Sequence, residues 1–224
     1  MGEAIGEVLV FGVGVALSPL AIVALVVMLV APGSRRPAWA FVGVWVLSLA
    51  LVATLVLLLA DGADASVNGA PASWVSVVKI VVGLLLVPFG VREWRGRESG
   101  ETEADAPGWI RKLDRVQVAG AAALSALFVI KPKNLLLTIG AGVAVAQVGA
   151  SAAGQASAIA AFVVLGTAGL GIPLAIHVLM PNRGEELLTR LRDWMVRQNA
   201  TIIAVLSLVI AAKLLGDALI ALTS

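Results

Sequence analysis

Six stretches of this chain, residues 4–31, 37–60, 73–91, 116–148, 152–180 and 200–222, are each apolar and long enough to cross a bilayer as a helix. A hydrocarbon core of about 30 Å takes about 20 apolar residues at about 1.5 Å of rise each. No other property of the sequence narrows its fold as much. The stretches run from end to end of 224 residues, of which 60% are hydrophobic and 13% charged, and the mean hydropathy is +1.01. A water-soluble domain carries about 25% charged residues and could not bury this much apolar surface, so an ordinary soluble enzyme is excluded. The first, fourth and fifth stretches are longer than a membrane is thick, since residues 4–31 as one helix would run roughly 40 Å. Such segments must tilt or break. The first does not read as a removable signal, because it has no basic leader and carries Glu3 and Glu7.

The connections alternate in charge. Arg35 and Arg36 lie between the first two spans, whereas the next loop holds Asp61 and Asp64 with no Lys or Arg. Arg92, Arg95, Arg97, Arg111, Lys112 and Arg115 separate spans three and four, and residues 149–151 between spans four and five carry no charge. Arg183, Arg190, Arg192 and Arg197 precede the last span. The positive-inside rule then places both termini outside a cytoplasmic (inner) membrane. Trp39, Trp74 and Trp94 fall near span ends, where indoles anchor at the interface. Residues 92–115 mix six acidic with six basic side chains and read as a solvated linker dividing a first half, 1–91, from a second, 116–224. Within 185–198, Leu187, Leu188, Leu191, Trp194 and Met195 recur at helical spacing. That stretch reads as a short amphipathic helix on the inner surface, either a plain connector or a gating or docking element.

Three spans, a linker and three more spans suggest a duplication whose halves are inverted, since each half has an odd number of crossings. The first span of each half carries a proline at a matching depth: Leu17-Ser18-Pro19-Leu20 in one, Ile130-Lys131-Pro132-Lys133-Asn134 in the other. Proline inside a helix removes a hydrogen bond and clashes with the preceding turn. Matched interruptions in two halves point to a transporter's central site. Ser18 and Pro19 suit the cap and first residue of a restarted helix, and Pro132 can start another. The freed N–H groups would carry partial positive charge inside the membrane. Lys131 and Lys133 add full charges at nearly that depth. A charge at the bilayer centre costs roughly 2.5–3.5 kcal/mol on insertion scales, so these amines should line a polar cavity, pair structurally, or snorkel.

Other intramembrane polar groups are few. Lys79 is placed to snorkel, and Lys213 and Asp217, four apart on span six, can pair or handle a proton or substrate. His177 reads as an interfacial or hydrogen-bonded residue. Pro88 and Pro173 mark further kinks, and Gly140, Gly142, Gly166 and Gly169 permit close helix approach. Cysteine is absent and there is one histidine, which leaves no disulfide, thiolate site, zinc-protease motif or Ser/His/Asp set. No phosphate loop is present. No cofactor or metal is called for, no enzyme activity is expected, and a net charge of +2 gives no reason to expect a nucleic-acid partner.

Ala16-Leu17-Ser18-Pro19-Leu20-Ala21-Ile22, followed by Val27-Met28-Leu29 and Pro32, resembles the first span of the peptidoglycolipid-addressing (sulfolipid-addressing) proteins of the lysine-exporter translocator superfamily. Lys131-Pro132-Lys133-Asn134-Leu135-Leu136-Leu137, with Ala141-Gly142, resembles that family's second signature. There the pattern commonly reads Asn-Pro-Lys-Asn, so Lys131 adds a charge here. The resemblance implies an all-α membrane protein of six transmembrane helices, an inverted 3+3 repeat with a broken first helix in each half, often a homodimer. It implies export of envelope glycolipids, or of small solutes in the wider superfamily. Lysines beside a half-helix N-terminus favour an anionic head group. The expected substrate is therefore an anionic lipid or amphiphile, held at Ser18, Pro19, Lys131, Pro132, Lys133 and Asn134. The alternatives are a small-solute exporter of amino acids or organic anions, and a non-transporting scaffold within a larger lipid-export machinery.

Overall fold

The computed structural model describes residues 2–31, 35–67, 70–98, 113, 116–180 and 183–223. In chain order these form α1 (Gly2–Ala16), α2 (Pro19–Val30), α3 (Arg35–Asp61), β1 (Ser66–Val67), β2 (Ala70–Pro71), α4 (Ser73–Glu98), α5 (Val118–Val129), α6 (Pro132–Gln147), α7 (Ala152–Leu179) and α8 (Gly184–Thr223). The two strands are a minimal antiparallel hairpin in the loop between α3 and α4, with Val67 opposite Ala70. Everything else regular is helix.

Four helices, α3, α4, α7 and α8, are long and apolar enough to cross a membrane alone, and there are six spans if each bent pair counts as one. The pairs are α1 with α2, bent by 55°, and α5 with α6, bent by 65°. Both bends fall at the expected prolines, and Pro19 and Pro132 each begin the helix after the break. There the missing N–H removes no intrahelical bond. By contrast, α4 and α7 run unbroken through Pro88 and Pro173.

Two expected boundaries move. The stretch 185–198 is not a helix of its own, because α8 is continuous over 40 residues and extends the last span. Leu188 and Met195 are buried in the core, so this extension packs inward on one face. Helix α4 continues through Glu98, taking Arg92, Glu93 and Arg95 into the helix rather than the linker. Apart from Leu113, the rest of that linker, including Arg111, Lys112 and Arg115, lies outside the described residues, as does Pro32.

Packing follows helical stripes. In α3, Phe41, Trp45, Leu49, Ala53 and Leu57, spaced by four, are buried, whereas Leu47, Leu51, Leu55 and Leu59 on the other side are exposed. An apolar face left open on a helix that carries no charge between Arg36 and Asp61 is a face for lipid. Helix α2 is buried from Ala21 to Leu29 with no open side, and α6 is nearly so. The halves that follow the breaks therefore form the centre. Helix α1 lies against α7 and α6, α3 against α5 and α6, and α2 against α8; α6 also touches α4 and α3 touches α7, while α4 and α8 meet along much of their lengths. Small residues set the closest approaches. A Cβ on Gly83 would touch Leu215 and one on Gly90 would touch Leu208, which makes α4 and α8 antiparallel and notched at seven-residue spacing. Gly140 accepts the ring of Phe11, and Gly169 lies so close to the Ala16 carbonyl that no side chain fits between them.

Candidate functional site

Ending a helix frees its last carbonyls and the first N–H groups of the next. At the first break, the end of α1 is held by donors from far along the chain. The Lys133 ammonium donates to Gly14 O and to Leu17 O, both at 2.9 Å. Leu17 N donates to Val13 O at 3.1 Å. The Ser18 hydroxyl lies 2.7 Å from Val15 O and 3.0 Å from Asn134 Oδ1, so its one proton serves either acceptor. At the second break, Asn134 Nδ2 donates to Phe128 O at 3.0 Å. Phe128 O can only accept, so this bond orients the amide and turns Oδ1 toward Ser18. Thr138 donates back to Asn134 O at 2.8 Å. Lys133, Asn134, Ser18 and Thr138 are all buried. The two interruptions are thus cross-linked to each other inside the bundle.

Both restarted helices open on one cleft of about 270 Å³. Its wall includes all six residues expected from the sequence, Ser18, Pro19, Lys131, Pro132, Lys133 and Asn134. They do not play equal parts. Lys133 is 7% exposed and its ammonium is spent on α1 carbonyls, a positive charge at a helix C-terminus where the dipole favours it. Lys131 is exposed, and its Nζ lies 4.4 Å from the centre of the Phe128 ring, so it is the amine available to a ligand. The first turns of α2 and α6 receive no side-chain cap. Ser18 has turned back toward α1 and Asn134, and Lys131 has no acceptor to offer. One free ammonium and two uncapped helix N-termini give the cleft a positive lining.

Seven residues of this wall are outside the site expected from the sequence: Leu20 and Ala21 from α2, Phe89 and Glu93 from α4, Phe128 from α5, and Asn199 and Ile203 from α8. Glu93 was hidden by its charged neighbours, which read as linker. The signal that could have found it is its four-residue spacing from Phe89, which puts both on one face of a continued helix. Asn199 was hidden by its position at the assumed start of the last span. Its Oδ1 is buried without a hydrogen-bond partner.

Lys213 and Asp217 lie elsewhere. They form an ion pair on α8, and Glu7 Oε2 of α1 is 3.9 Å from the same ammonium. Lys79 of α4 joins this electrostatic neighbourhood, so the pair is one part of a cluster of two acids and two bases on three helices. Among the described residues no group of His, Cys, Asp or Glu is arranged to hold a metal ion.

The profile of a family described as sulfolipid-1-addressing protein matches residues 8–220. The chain belongs to that family. The match spans both breaks, the cleft and, apart from Glu7, the charged cluster, so the family's defining region is the bundle itself. No curated protein and no solved structure matches this family member. Its helices fit a multi-pass membrane protein.

Proposed function

We propose that the protein exports an anionic lipid or glycolipid through the cleft where its two broken helices meet. The observation that carries this reading is the convergence of Lys131 and two uncapped half-helix N-termini on one half-apolar cleft inside a membrane bundle. A free ammonium in such a place is costly unless it meets an anion. The cleft, about 270 Å³, suits a head group rather than a whole lipid. Leu20, Ala21, Phe89 and Ile203 supply an apolar rim along which acyl chains can leave toward the bilayer. Membership in a sulfolipid-addressing family supports a lipid over a soluble anion.

The same reading takes the fold as an inverted 3+3 repeat of the lysine-exporter type. Exchanging α1–α2 with α5–α6, α3 with α7 and α4 with α8 turns the contact of α1 and α7 into that of α5 and α3. It likewise turns the contact of α2 and α8 into that of α6 and α4. The remaining assignments are an inner-membrane site with both termini outside, no catalytic chemistry, and action as a homodimer or beside a larger lipid-export machinery. The test is transport by the purified protein in liposomes carrying a labelled anionic lipid on one leaflet. The expected result is accelerated crossing of that lipid over phosphatidylcholine, reduced at least tenfold by Lys131→Ala at normal protein levels. Equal rates for wild type and Lys131→Ala overturn the site. No movement of lipid, with uptake of a water-soluble organic anion instead, replaces it with the solute reading.

A further inference from the structure

The cleft wall carries one carboxylate, Glu93, in a lining otherwise suited to anions. It projects from α4 one turn after Phe89, which lines the same cleft. Among the described residues it makes no hydrogen bond or ion pair; its charged neighbour on α4 is Arg92. Across the cleft stand Lys131, which rests on the Phe128 ring, and Lys133, which is bound to two carbonyls. The α2 wall is uncharged, and α8 presents Asn199 and Ile203, with Arg197 exposed and outside the wall. Among the described side chains, the one ammonium on the cleft wall that is not spent on carbonyls is that of Lys131, the group assigned to the ligand.

Resting on the anion-site reading above, we propose that Glu93 is a proton-binding site, and that the cleft takes up its anionic ligand together with one proton. An ionised Glu93 and an anion in a cleft of about 270 Å³ repel each other in a medium that screens poorly. Adding a proton from bulk water to the carboxylate relieves the repulsion and leaves a neutral acid. That acid's O–H is a donor, which a bound anion or the orphan Asn199 Oδ1 can accept. Linkage is reciprocal: ligand raises the proton affinity of Glu93, and proton raises ligand affinity. Affinity therefore falls as pH rises through the window set by Glu93 in the empty and filled cleft, by up to about tenfold per pH unit for one proton. A monoanion carried with this proton crosses as a neutral unit.

The probe is dihexanoylphosphatidylglycerol, whose phosphodiester stays ionised throughout, titrated calorimetrically into the full-length protein in nanodiscs between pH 5.5 and 8. Buffers of different ionisation enthalpy report protons taken up. The expected wild-type result is uptake approaching one proton per lipid and affinity that weakens with pH. Glu93→Gln should bind tightly at every pH with no proton uptake, and Glu93→Asp should restore both the uptake and the pH dependence. A Glu93→Gln protein that keeps the wild-type pH profile and proton uptake overturns the proposal while leaving the anion site standing. Wild-type binding that is absent at all pH values, or undiminished in Lys131→Ala, overturns the anion site and this proposal with it.

Discussion

At the first break the end of α1 is held by groups from the other half of the chain, with the Lys133 ammonium on Gly14 O and Leu17 O. At the second, the end of α5 is held locally, with Asn134 of the following helix on Phe128 O. The first break is also seated by backbone, with the Ala16 carbonyl against Gly169 of α7. The second is seated by rings, Phe128 edge-on to Phe41 of α3 with centroids 6.2 Å apart. A proline makes a break in either place, but it does not say who satisfies the freed carbonyls. Here the second half supplies side-chain donors for both, and the first contributes the Ser18 hydroxyl and the Leu17 backbone N–H. The two lysines that look equivalent in sequence are divided by this asymmetry. One closes the first break, and the other faces the cleft.

The strongest way to break the comparison is Gly169→Ala. Its added methyl overlaps the Ala16 carbonyl, a backbone atom that cannot swing aside. Overpacking of this kind costs about 3 kcal/mol, at the upper end of the usual range. Thermal unfolding in detergent should show a sharply lowered midpoint, and an unchanged midpoint would mean that the end of α1 is free to shift. Next is the contrast of the two lysines. Lys133→Met leaves two buried carbonyls without a donor and should cost about 2–3 kcal/mol in the same assay. Lys131→Met should leave the midpoint within about 0.5 kcal/mol of wild type while abolishing anion binding. If both variants lose stability equally, the division of labour fails. Asn134→Ala removes the donor to Phe128 O and the acceptor for Ser18, and should cost about 1–2 kcal/mol. Ser18→Ala should cost less, because Val15 O and Asn134 Oδ1 compete for a single proton. A double-mutant cycle between these two residues measures the link between the breaks, and a coupling of zero would remove it. The smallest effect is expected at the charged cluster. Asp217→Asn should change stability by under about 1 kcal/mol, since both partners of the pair remain a third exposed.

Much of this was legible in the chain. Long apolar runs declare helices whatever their packing, and two prolines with polar neighbours declared both breaks. All six expected site residues reach one cleft for the same reason: interrupted helices must hide their backbone polar groups together. The failures have a common cause too. Charge along a sequence reads as a sign of solvent, which ends α4 before Glu93 and separates 185–198 from α8. A helix that emerges from a bundle can carry charge on one face and core contacts on another, as Leu188 and Met195 show.

From the sequence alone come an apolar helical bundle of a membrane protein and the places where two of its helix pairs bend, because hydropathy and proline act through the local backbone. Only the tertiary structure decided which lysine is spent on carbonyls and which is free, that Lys213 lies near Glu7 as well as Asp217, and that Glu93 faces the cleft. Those outcomes depend on distances between residues far apart in the chain, such as Lys133 and Gly14, and no spacing rule along a sequence carries them.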